Sequence, residues 1–174
     1  MQIIGPLNSS QPQAVLAMIP EGKAGTIATL KIMRNIIKAW RPNLQLRSLA
    51  SQIVSVVPGK DWAGELAAIQ SWVRDNIRYT RDIHDLETLH TPDVTLNTRM
   101  GDCDDQAILT ACLLASSGHP WRLVAIALKN APDQFVHVYT ESRLGNKWVS
   151  VETTEPVDVG WEPAGVAAKL VIHP

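Results

Sequence analysis

The chain is poor in cysteine, has no apolar run long enough to cross a bilayer and carries no glycine-rich phosphate loop, and each absence excludes something. Its two cysteines, Cys103 and Cys112, would lie ~14 Å apart along a single helix at 1.5 Å per residue, whereas a disulfide needs α-carbons within ~7 Å. They read as free thiols, which suits a reducing compartment. The longest early apolar stretch, residues 14–19, is too short for the core of a secretory signal, and nothing approaches the ~20 apolar residues of a membrane span. The expectation is a soluble, cytoplasmic chain with no membrane partner. There is also no dinucleotide fingerprint, paired-cysteine zinc site or RNA-binding aromatic signature, so no nucleotide or redox cofactor is expected.

What is present is enough apolar residue, 45% of 174, to bury a real core. Charge is unevenly spread. Residues 1–60 hold seven Lys/Arg against one Glu, and the remainder holds nine against sixteen acids, for a net charge of −1. The basic segment has few aromatic side chains on which bases could stack. It reads as a helical, basic extension (1–60) lying over an acidic core (61–174) in the same molecule, with no nucleic-acid partner.

Residues 1–22 mix Gly5, Pro6, Pro12, Pro20 and Gly22 with Asn, Ser and Gln and predict an irregular arm. Over 24–40, Ile27, Leu30, Met33, Ile37 and Trp40 recur at helical spacing, with Lys31, Arg34 and Lys38 on another face, until Pro42. A second helix is predicted over 44–57 and a third after the N-cap candidate Asp61, carrying Trp62, Leu66, Ile69, Val73 and Ile77. Periodicity then vanishes from 80 to 101, which predicts a loop of about twenty residues, a length uncommon unless it borders a site. Next comes a helix apolar on every side over 107–115, closed by Gly118 and Pro120. Runs rich in β-branched and aromatic residues at 121–129, 135–142 and 148–154 predict three antiparallel strands, with a fourth over 166–172.

Cys103 opens the apolar helix. Exposed amides and the positive end of the helix dipole stabilise an anion there by ~0.3–1 kcal/mol, and the residue's own N–H faces where an oxyanion would form. Cys112, half a turn away in projection and mid-helix, reads as core packing. In FVHVY, strand alternation sets Phe135, His137 and Tyr139 on one face. A four-residue hairpin loop, 143–146, would put His137 directly opposite Glu152, within reach of a hydrogen bond, while a loop of odd length would turn Glu152 away. Nucleophile, base and orienting carboxylate together make acyl transfer.

Asp102, Asp104 and Asp105 crowd the cysteine and should raise its pKa. They read as an N-cap and first-turn acids, neutralised by Arg78, Arg81 or Arg99, with Ca²⁺ held by their oxygens as the alternative. His84, His90, His119 and His173 lack metal-ligand spacing and are taken as structural.

The runs GDCDDQAILTACLLASSGHPWRLVAIA, FVHVYTE and KWVSVETT resemble the transglutaminase-like cysteine hydrolase superfamily over residues 62–154, and IQSWVRDNIRY resembles the lead-in to its core. That resemblance implies an α+β, papain-like core with a buried catalytic helix packed on an antiparallel sheet and preceded by N-terminal helices. It also implies a triad of Cys103, His137 and Glu152, with Glu where most members have Asp. Small bacterial or phage-encoded members are nearest in size. The superfamily spans peptidases, deamidases, cross-linking transferases and inactive members, so a cysteine peptidase or amidase acting on a protein or peptide substrate is expected. Amine transfer, deamidation and a non-catalytic assembly module stay open.

Overall fold

The computed structural model describes residues 22–81 and 88–174. The arm expected over 1–22 and the side chain of His84 therefore fall almost wholly outside the described residues. Three helices come first: α1 (Gly22–Trp40), α2 (Leu44–Val54) and α3 (Trp62–Asn76). Each starts or stops where a local signal dictates. Asn43 caps α2 by accepting from the amides of Gln45 and Leu46, and Asp61 caps α3 by accepting from Gly64.

The stretch from 80 to 101 is not one loop. It holds a short helix, α4 (Pro92–Thr98), and strand β2 (Met100–Gly101), which pairs in parallel with β1 (Arg78–Tyr79). Two helical turns are too few for apolar periodicity to show, but proline near the start of α4 is a typical first-turn residue. Helix α5 (Cys103–Ser116) follows, and β3 (Trp121–Leu128), β4 (Phe135–Leu144), β5 (Lys147–Val151) and β6 (Val166–Ile172) form an antiparallel sheet in the order β5-β4-β3-β6.

Helix α5 is the centre of the molecule. Every residue from Asp105 to Ala115 is buried, as a helix without a polar face must be. One apolar cluster runs from Leu30, Met33 and Ile37 of α1 and Leu46 of α2, through Ile108, Leu109 and Leu113 of α5, to Leu123 and Ala125 of β3. A second, small cluster of Val124, Ile126 and Tyr139 occupies the sheet face turned away from α5. No described helix is long and apolar enough to cross a membrane.

The β4–β5 hairpin closes more tightly than expected. Leu144 pairs with Lys147, leaving Gly145 and Asn146 as a two-residue turn, and the ladder runs to Thr140 opposite Val151. Gly145 has φ +60°, the conformation wanted at the first central position of a type II′ turn. A β-bulge interrupts β4 as well. His137 pairs with Ile126 but Phe135 pairs with Ala127, so Val136 is the extra residue. The bulge reverses the alternation: Phe135 packs into the main core, while Tyr139 packs on the opposite face, so Phe135 does not share the face of His137 and Tyr139.

Candidate functional site

Cys103 is the first residue of α5, held there by a capping box. The Asp102 carboxylate accepts from the amides of Asp104 (2.9 Å) and Asp105 (3.1 Å), and the Asp105 side chain reaches back to the Asp102 amide. Residue 101 must be glycine for this turn to close, because a Cβ there would lie 2.7 Å from that of Asp105. The thiol is half-buried beside β4, where the backbone N–H of Val138 hydrogen-bonds the sulfur. Its other described partner is Asp104 Oδ1, at 3.6 Å.

The helix start does not make this cysteine a thiolate. Burial pushes its pKa well up, the charges of Asp104 and Asp102 push the same way, and the Val138 amide opposes them only in part. At neutral pH the resting group is the thiol.

His137, next to Val138 in β4, donates or accepts through Nε2 at 2.6 Å from Glu152 Oε2. The tighter turn shifts the expected register by two residues, and the ladder ends at Thr140 opposite Val151, with Glu152 just beyond it. An even shift preserves the face, and the longer glutamate side chain crosses the diagonal to the imidazole. Glu152 is 1% exposed. Its Oε1 accepts from the backbone N–H (2.7 Å) and hydroxyl (2.8 Å) of Thr154, and its carbonyl oxygen accepts from Gln70 Nε2 of α3 (2.7 Å). Burial alone would raise the carboxyl pKa, but the hydrogen bonds from His137 and Thr154 outweigh it and hold the group below its ordinary value. Glu152 is thus an ionised, immobilised acceptor. Against an ionised carboxylate, Nε2 carries the proton, which leaves Nδ1 as the lone-pair nitrogen.

The three aspartates divide their work. Asp105 is 1% exposed, with Oδ1 accepting from the His90 amide and Oδ2 lying 2.7 Å from His90 Nδ1. Burial, reinforced by the charge of Asp102, raises its pKa to about 6. The basic side chain set directly against Asp105 is His90. Arg78 donates to Met100 Sδ, Arg81 bonds the Tyr79 hydroxyl and Arg99 stacks 5.7 Å from the Trp72 ring. Oxygens of Asp102 and Asp105 are turned onto α5 and His90, and among the described residues no three His, Cys, Asp or Glu side chains are arranged to hold a metal ion.

His119 is 3% exposed and anchors to Glu65 at 2.7 Å, and His173 stands edge-on to Trp148. Sequence reasoning missed Gln70, Thr154 and the Val138 amide. Only Thr154 had a readable signal, lying two residues from Glu152 in a run expected to be a strand, where such residues share a face.

The transglutaminase-like superfamily model matches residues 47–153, a span that includes Cys103, His137 and Glu152. No curated protein matches the chain. Among solved structures, a candidate cysteine protease from Cytophaga hutchinsonii is 22% identical over 75% of the chain with a TM-score of 0.52. A candidate protease from Parabacteroides distasonis is 12% identical over 84% of the chain with a TM-score of 0.61. The chain spans 46% and 29% of those two proteins, so the likeness is one of fold.

Proposed function

From the premise that the chain belongs to the transglutaminase-like superfamily, we propose that Cys103, His137 and Glu152 act as a triad for thiol-dependent acyl transfer. Water is the final acceptor, which makes the protein a cysteine peptidase or amidase. The observation that carries this reading is the 2.6 Å pair between His137 Nε2 and a buried carboxylate of lowered pKa, set one residue from the amide that touches the Cys103 sulfur.

Glu152 keeps the proton on Nε2, so Nδ1 takes the thiol proton as the sulfur attacks the substrate carbonyl. Charge appears on sulfur only as it is used, which accommodates a thiol whose resting pKa is high. The carbonyl oxygen becomes an oxyanion, stabilised by the Cys103 N–H at the head of α5. The C–N bond then breaks, Nδ1–H protonates the leaving amine, and a thioester remains on Cys103. Water, losing its proton to Nδ1, attacks the thioester and releases the acid and the free thiol.

Mass spectrometry of a glutamine-containing peptide library, with and without an added primary amine, tests the reading. Hydrolysis adds water and splits the chain, deamidation leaves the chain whole, and amidation requires the amine. Cleavage lost in Cys103→Ala supports the peptidase. Amine incorporation as the dominant product replaces water as acceptor, and an untouched library from the wild type rejects catalysis in favour of a binding module.

A further inference from the structure

Seven large apolar side chains stand exposed among the described residues, and three of them, Tyr79, Val136 and Trp161, line a single cleft that also contains His137. They come from β1, β4 and the segment after β5, so the clustering is made by the fold and not by neighbouring positions in the sequence. The cleft has a volume of about 300 Å³, at the small end of ligand pockets, and Ile126, Leu128 and Pro163 complete its apolar lining. Exposed apolar side chains gathered in one concave place beside a titratable group have the usual form of a ligand site.

Cys103 does not line this cleft, which reaches its surroundings through His137 and through Tyr79, a side chain that feels the charge of Cys103. We propose that the cleft is a side-chain subsite of the substrate, selecting a bulky, uncharged aliphatic or aromatic residue near the bond that Cys103 attacks. The proposal rests on the hydrolase reading and names its substrate class. Two features shape the cleft. The β4 bulge adds Val136 immediately before the base, a common way to re-aim a side chain next to an active site. Trp161 is fixed from both sides: the Ser150 hydroxyl donates to its carbonyl oxygen, its N–H donates to Asp158 O (3.1 Å), and the neighbouring Gly160 N–H donates to Ser150 O (2.8 Å). Such a wall is built before the substrate arrives, which lowers the ordering cost of binding.

Charge decides which side chain fits. The lining carries one cation, Arg81, and one anion, Glu155. Their charges offset, and Arg81 is already engaged by the Tyr79 hydroxyl. A charged substrate side chain would lose hydration against the apolar wall for attraction to one rim group and repulsion from the other. An apolar one gains burial, which for Phe or Leu over Ala is about 10- to 150-fold in kcat/KM.

The test is the full chain acting on an equimolar library of peptides that differ at each residue around a common scaffold, with products quantified by mass spectrometry. The wild type should favour Phe, Leu or Trp over Ala by at least about tenfold at one position flanking the transformed bond, and should disfavour Lys and Asp there. Trp161→Ala, and independently Val136→Ser at an exposed site, should compress that ratio severalfold, while Leu44→Ala, 78% exposed on α2, should leave it unchanged. A wild type that works on the library with no apolar preference, or with a preference that both cleft variants retain, overturns the subsite and leaves the hydrolase reading standing. A wild type that transforms no peptide overturns the hydrolase reading, and the subsite falls with it.

Discussion

Replacing Glu152 by Gln changes one atom and isolates what the carboxylate does. Oε1 accepts two hydrogen bonds from Thr154, at 2.7 and 2.8 Å, so the amide oxygen of a glutamine settles there and its NH₂ is turned toward His137. An NH₂ group cannot accept from Nε2–H. The imidazole must therefore move its proton to Nδ1, the nitrogen that has to take the thiol proton, and the base is blocked by its tautomer rather than removed. In triads disabled this way the rate falls by about 10³–10⁴, a barrier increase of ~4–5.5 kcal/mol. The fold should survive, at a cost of ~1–3 kcal/mol for the lost charge-assisted hydrogen bond. Because the folded-state pKa of Glu152 is depressed, its contribution to stability is present above the unfolded pKa of ~4.3 and is lost as pH falls through the folded value. Glu152→Gln should lose that acid slope. Burst release of p-nitrophenolate from p-nitrophenyl acetate measures acylation of Cys103, ¹⁵N shifts of the His137 ring report the tautomer, and thermal melts from pH 3 to 7 report the slope. Activity within tenfold of wild type, or an Nε2–H tautomer in the variant, would refute the reasoning.

Further outcomes follow from the same geometry. Asp104→Asn removes one of the charges that hold the Cys103 pKa up, so its iodoacetamide alkylation near pH 7–8 should accelerate by up to ~10-fold, read as an acid-ward shift of the pH–rate profile. Asp105, with its pKa raised to about 6, holds a proton in the folded state that the unfolded chain has given up, so its contribution to stability should fall as pH rises from ~4 to ~6. Asp105→Asn should flatten that window in denaturant titrations, and an unchanged slope would contradict the assignment. Leu109→Ala, in a helix buried all round, should cost ~2–5 kcal/mol by urea unfolding, whereas Leu44→Ala, 78% exposed, should stay within ~0.5 kcal/mol.

The long helices and the strands were legible because each repeats its apolar pattern several times. Asp61 and Asp102 then marked where two of the helices begin, whereas the cap at Asn43 emerged only in the structure. The His137–Glu152 face was legible for a reason that tolerates error: the hairpin loop was misjudged by two residues, and strand faces alternate every one. The partners that make the face useful were not legible. Gln70 lies 82 residues from Glu152, and His90 meets Asp105 across 15 residues, contacts that only the folded chain brings about. Neither leaves any local spacing to read. The bulge at Val136 escaped because nothing in FVHVY departs from simple alternation. The upward push on the Cys103 pKa was half legible: its acidic neighbours were visible, but its burial was not.

The hydrogen bond from Gln70 to the carbonyl of Glu152 has a consequence for the order in which the chain becomes competent. His137 and Glu152 meet within one hairpin, but Gln70 lies 82 residues before Glu152, so the loop that brings it in is long and its entropic cost falls late. The imidazole and the carboxylate can meet once the β4–β5 hairpin has formed, but the carbonyl of Glu152 gains its Gln70 partner only when α3 has docked. On the proposed mechanism, the triad and its support are complete only when α3, α5 and the hairpin have come together.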